Sequence, residues 1–239
     1  MKRFWESASV GHGDAGFAIL LDGRPMHLPG GAVLRVDAEP LALAIADEWQ
    51  SAGGGKGGEM SFADTPLTRL AGTAQQRIAP DPAPTIDAIA RYAETDLLCY
   101  RAEKPPALVD RQACAWQPWL DWAASTYKAP LRISSGIAHV KQHRGSLAAL
   151  RDTVAALDLA ALAALGIAVP ALGSLVLGLA MTEGELDAAT AHALGALDEL
   201  YQAEIWGEDA EAAARRAAIA ADVALAERFL QLTRLTGRG

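Results

Sequence analysis

The chain has 239 residues, 51% of them hydrophobic and 21% charged, with a formal net charge of −8. That hydrophobic fraction excludes intrinsic disorder, and the length allows one large domain or two modest ones, each able to bury a core. The negative charge disfavours attraction to nucleic-acid phosphates or to an anionic membrane face, so no nucleic acid is expected as a partner.

In chain order, Met1-Lys2-Arg3-Phe4-Trp5 is basic but not followed by an apolar signal core or an Arg- and Ser-rich presequence. This predicts a bacterial cytoplasmic protein, or a mitochondrial matrix protein if a processed homologue. Phe17 to Leu21, the two-residue turn Asp22-Gly23, and Arg24 to Leu28 read as a hairpin, and Pro29-Gly30-Gly31 leads to a third strand, Ala32 to Val36. Asp37 is placed to cap a helix carrying Leu41, Ile45 and Trp49, which ends at a glycine run, Gly53 to Gly58, expected to be a flexible loop that tolerates shortening. Thr65-Pro66 opens a second helix with the apolar stripe Leu67, Leu70, Ala71, Ala74 and Ile78. Pro80 to Pro84 break the pattern. Beyond them the sequence is helical, apart from a possible short strand pair around Leu131–Ile133 and Ile137–Val140, with a capped helix from Ser146, a buried apolar stretch from Gly166 to Met181, a helix from Asp187 to Trp206, and another from Glu208 to Leu235. The apolar stretch is too short and interrupted to span a membrane. The fold class expected is α+β: a small strand-rich N-terminal domain over 1–80, a β-meander with helices, followed by a larger α-helical domain over 81–239.

Several motifs invite a chemical reading. Gly11-His12-Gly13-Asp14-Ala15-Gly16 matches G-x-G-x-x-G, but the strand pattern after it fits a turn between strands better than a pyrophosphate cradle. The glycine run contains Lys56 without the Ser or Thr of a P-loop, so nucleotide hydrolysis is not expected. His139 and His143 have metal-ligand spacing but no third ligand in view, and read as surface loop residues; no metal and no cofactor are predicted. Cys99 and Cys114 read as reduced, buried thiols. An enzymatic alternative would use Asp96 to Arg101, where an acid, a thiol, a phenol and a guanidinium lie close together; the competing reading makes these residues core and backbone partners.

The segment from Asp152 to Ala214 contains eleven acids and no Lys or Arg. Acids at helix N-termini account for some of them. On a helix from Asp187 to Trp206, Leu194, Leu197, Tyr201 and Ile205 form one apolar stripe, and Glu199, Gln202 and Trp206 lie opposite. Either another helix covers Trp206 or it belongs to a partner surface, where aromatic anchors are enriched. The candidate partner-binding residues are therefore Glu199, Gln202 and Trp206, with Asp198 and Glu204 beside them.

Along the chain stand Lys2-Arg3-Phe4, Leu21-Asp22-Gly23-Arg24-Pro25, Ala46-Asp47-Glu48-Trp49, Pro66-Leu67-Thr68-Arg69-Leu70, Tyr92 with Asp96 through Arg101, Trp119-Leu120-Asp121-Trp122, Leu172-Gly173-Ser174-Leu175, and Asp198 to Gln202 with Trp206-Gly207. In the order and spacing of these stretches, over nearly its whole length, the chain resembles the assembly chaperones of the F-type ATP synthase catalytic head that attend the alpha subunit. Gly72, where the family often has Asn, and the long glycine loop depart from this resemblance. The resemblance implies binding without turnover and without a cofactor: the free alpha subunit is kept from aggregating until beta subunits replace the chaperone. A permanent subunit of a larger complex is the other alternative.

Overall fold

The computed structural model describes residues 1–13, 16–136 and 138–234. Backbone contacts divide the chain into two compact units, one of Met1–Pro82 together with the chain from Arg228 onward, the other of Ala83–Glu227.

The first unit is built on a small antiparallel sheet. Strand β1 (Ala8–Gly13) pairs along its whole length with β2 (Gly16–Leu21), and the other edge of β2 takes β3 (Arg24–Pro25) and β4 (Arg35–Val36). The glycine motif thus divides between two strands, with Gly11 to Gly13 closing β1 and Gly16 opening β2; Asp14 and Ala15 lie outside the described residues. The Asp22-Gly23 turn has both residues at positive φ, 48° and 77°, as a tight hairpin turn of this hand requires. Asp22 also accepts amide bonds from Glu6 and Ser7, which draw its carboxyl below the ordinary range.

Helix α1 (Glu39–Ser51) packs on β1 and β2 through Leu41, Ile45 and Trp49. Its N-cap is Ala38 and not Asp37, with no side-chain cap; Pro40 at the first turn removes one of the amides a cap would have to satisfy. The cap expected from Thr65 is likewise supplied from elsewhere. Helix α2 (Pro66–Thr73) receives the Glu48 carboxylate, which accepts from the Leu67 amide at 2.7 Å and the Thr68 amide at 3.1 Å. Burial pushes the Glu48 carboxyl up, against the downward pull of those amides. The helix then widens into a π turn over Ala74–Ile78, from which Gln75 bonds Arg35 and Val33, and Gln76 bonds the Pro29 carbonyl.

The glycine run is not the free loop that its composition suggests. Arg3 donates its amide to Gly58 and accepts from Gly57, and Gly53, Gly54 and Gly57 all have positive φ. Here glycine serves a closely folded turn against the N-terminal segment. Arg3 itself is 3% exposed; its guanidinium donates to the carbonyls of Gln50 and Ala52 at the end of α1, and to those of Trp5 and Glu6. A cation there suits the negative end of the helix dipole.

The second unit is helical: α3 (Ala83–Ala90), α4 (Pro106–Tyr127), α5 (Arg144–Ala155), α6 (Leu159–Leu172), α7 (Leu175–Glu183), α8 (Ala188–Gly195), α9 (Leu197–Trp206) and α10 (Ala210–Arg234), whose last turns belong to the first unit. The apolar stretch is two helices. Pro170 lies inside α6, and the break falls at Gly173, left-handed at φ 65°, and Ser174, which caps α7. Every residue of α7 from Leu175 to Thr182 is buried. Asp158, Asp187 and Asp209 accept amides in the first turns of α6, α8 and α10, the helix-end role expected of acids in this segment. Helix α5 is capped by His143 and begins two residues before Ser146, which instead donates to Pro130. The expected strand pair is also different: β5 (Tyr100–Arg101) pairs in parallel with β6 (Ser134–Ser135), and Ile137 lies outside the described residues, as does Leu235. Cys99 is buried, whereas Cys114 on α4 is exposed, a correction to its reading as a buried thiol. No helix among the described residues is long and apolar enough to cross a membrane.

Candidate functional site on helices α9 and α10

The expected helix from Asp187 to Trp206 is interrupted at Ala196, where the backbone (φ −95°, ψ 9°) leaves the helical range and the chain restarts as α9. The Trp116 indole donates to the Leu194 carbonyl that this break releases. Within α9 the expected apolar stripe fades along the helix: Leu197 is buried, Tyr201 half-buried and Ile205 52% exposed.

The five candidate residues separate onto two faces. Asp198 and Glu204 turn to α4, where Gln112 donates to Asp198 at 2.7 Å and Arg111 meets both Glu204 oxygens at 2.8 Å. The same Arg111 guanidinium stacks 5.0 Å from the centre of the Tyr201 ring. Glu199, Gln202 and Trp206 line the other face with the start of α10, around a cleft of about 420 Å³ that includes Asp209, Arg215 and Arg216.

Trp206 is 76% exposed, so no helix of the second unit covers it. Glu199 is engaged: its carboxylate lies 3.1 Å from Arg215 and 3.6 Å from Arg216, and Arg216, 7% exposed, also donates to Glu208 at 2.7 Å. Three acids of this segment, Glu199, Glu204 and Glu208, are thus compensated from outside it, by Arg111 before and by Arg215 and Arg216 after. Those three arginines are the participants that a linear charge count missed; the resumption of cations at Arg215 was the available signal. The cleft presents an exposed indole, an amide and a balanced set of charges, which suits recognition of a protein surface.

The segment from Asp96 to Arg101 is occupied structurally. Asp96 is wholly buried and accepts from the Leu98 and Val176 amides at 3.1 and 3.0 Å, joining the 3-10 turn at Leu97–Cys99 to the N-terminus of α7. Burial raises its carboxyl to about 6, and also raises the Cys99 thiol to about 12, with the Asp96 charge adding to it. Arg101 donates to the Leu98 and Gln112 carbonyls and lies 5.2 Å from the centre of the Trp116 ring. His143 accepts from the Gly145 amide, and His139 sits 3.2 Å from the Tyr100 hydroxyl. Among the described residues no group of three or more His, Cys, Asp or Glu side chains is arranged to hold a metal.

Residues 2–124 match the family model of the ATP12 chaperone protein. The whole chain is similar to the crystal structure of Atp12 from Paracoccus denitrificans, with 45% identity, a TM-score of 0.91 and 98% of each chain covered. A second structure of that Paracoccus protein, with one aspartate replaced by lysine, matches with the same identity, score and coverage. A protein of Agrobacterium tumefaciens is 38% identical, with a TM-score of 0.89 over 96% of this chain and 85% of that one. With the fold class, the domain-scale order of strands before helices and the resemblance in sequence all in agreement, the chain belongs to the ATP12 chaperone family, non-enzymatic assembly factors of the ATP synthase.

Proposed function

We propose that this chain binds the free alpha subunit of the F-type ATP synthase and keeps it from aggregating until beta subunits take its place, and that the α9–α10 cleft makes that contact. The observation that carries the site is Trp206, 76% exposed on a capped helix end beside Gln202 and the Glu199–Arg215 pair. An indole with that exposure costs solvation in the free protein, and partner surfaces are where aromatic anchors collect. Asp198 and Glu204 act in this reading from behind, fixing α9 on α4 through Gln112 and Arg111. The holding takes place in the bacterial cytoplasm, in keeping with the bacterial relatives. A holdase displaced by the true partner needs an interface weaker than the one that replaces it.

The test is aggregation of purified alpha subunit with and without the chain. Trp206→Ser should leave the melting midpoint unchanged and lose most of the protection. Glu199→Gln should weaken protection less, since Arg215 and Arg216 retain Glu208 and solvent. Full protection by Trp206→Ser removes the cleft from the contact; recovery of the chain at fixed stoichiometry in the finished ATP synthase would make it a permanent subunit instead.

A further inference from the structure

The first unit carries an apolar groove that the α9–α10 contact does not use. Its floor is Leu21, Met26, Leu28 and Trp49, and it encloses about 500 Å³, inside the roughly 300–1,000 Å³ range of ligand pockets. Three large side chains stand at its rim: Met1 is 58% exposed, Phe4 66% and Phe62 56%. Eight large hydrophobics are exposed among the described residues, so three of them converge on this one feature. Large apolar side chains gathered at one feature and left more than half exposed mark an interaction surface.

Among the described residues the groove is bordered by the Arg24 cation, with the His27 imidazole nearby, and by no Asp or Glu, in a chain whose net charge is −8. The walls are also fixed in advance. The Met1 ammonium donates to the Met60 carbonyl and the Met60 amide returns a bond to Met1, while Arg3 ties the next turn to the end of α1. A groove already shaped spares the ordering cost of binding, and the two methionines on its surface can adjust to different side chains.

From these features we infer that the groove binds an extended apolar segment of a client polypeptide that carries a carboxylate at the Arg24–His27 end. The inference rests on the holding role above only for the source of the segment; the groove is a second contact, separate from α9.

The test uses the full chain and a fluorescein-labelled probe peptide of alternating leucine and threonine ending in two aspartates, with a twin ending in two lysines, followed by anisotropy at low salt. The aspartate-ended probe should bind saturably and roughly tenfold or more tighter than its twin. Phe4→Ser with Phe62→Ser should weaken it by roughly tenfold or more. Arg24→Glu should erase or reverse the preference between the probes, which keeps the inference testable if the double variant melts early. Trp206→Ser should bind the probe as the unaltered chain does, so this result stands apart from the alpha-subunit assay. Equal binding of both probes, no binding, or binding indifferent to these variants overturns the inference. So does displacement of the probe by stoichiometric decanoate, which would make the occupant a small amphiphile, or concentration-dependent self-association lost in the double variant, which would make it a second copy of the chain.

Discussion

Asp96 couples the stability of the second unit to pH in an unusual direction. Its carboxyl is raised from 3.8 to about 6 in the fold by burial. Between those values the folded chain keeps a proton that the unfolded chain has lost, so this residue stabilises most below about 4 and its contribution falls as pH rises through 6. Full ionisation costs about 3 kcal/mol at 1.36 kcal/mol per unit, of which about 2 kcal/mol accumulates between pH 4 and pH 7. Asn at this position has nearly the shape of the protonated acid and no charge to bury. Whatever Asp96→Asn costs at pH 4, that cost should therefore shrink by about 2 kcal/mol at pH 7, or about 4–8 °C in the difference between the two melting midpoints for a chain of this size. Other carboxylates titrate equally in both proteins and cancel. The assay is thermal unfolding of both proteins across that range. Parallel curves, with a constant gap from pH 4 to pH 7, would refute the account of Asp96 as a buried, costly charge, and a gap that widens would reverse its sign.

Three further outcomes follow from the packing. A Cβ on Gly58 would collide with the Gly53 backbone carbonyl, so Gly58→Ala should destabilise by about 1–3 kcal/mol, visible as a lower denaturation midpoint; deleting residues of this turn should cost at least as much. Glu48→Ala removes the acceptor for two amides at the start of α2 and should cost about 1–2 kcal/mol in urea unfolding. Thiol labelling of the native chain should modify Cys114 promptly, whereas Cys99, buried and with its thiol raised to about 12, should react only once the fold opens.

The parts of the fold that a sequence shows are those with local causes. The Asp22-Gly23 turn, the stripe of α2 and the acids at helix starts each answer to neighbours a few residues away, and each is where its pattern placed it. Long-range partners are hidden from such reading. Nothing near Thr65 indicates that Glu48, nineteen residues before Leu67, closes the end of α2. Nor does the sequence around Ser174 announce Asp96, which is eighty residues from Val176. The glycine run was misread because composition reports conformational freedom and not how that freedom is used; here it lets backbone meet backbone beside Arg3. At the candidate site, helical periodicity groups Glu199, Gln202 and Trp206, and all three line one cleft. It failed for Ile205 because the last turn of α9 stands in solvent, with Ile205 and Trp206 both exposed, and for the charges because their counterions lie on α4 and α10, outside the counted segment.

The membership of the last turns of α10 in the first unit bears on how the chain is made. Phe229 and Leu230, among the most deeply buried apolar side chains near the C-terminal end of the described chain, are grouped with a sheet whose strands emerge from the ribosome first. Translation proceeds from the N-terminus. The first unit is therefore complete only once the chain from Arg228 has been made, and its two parts must come together across the whole of Ala83–Glu227, a closure over a long intervening stretch.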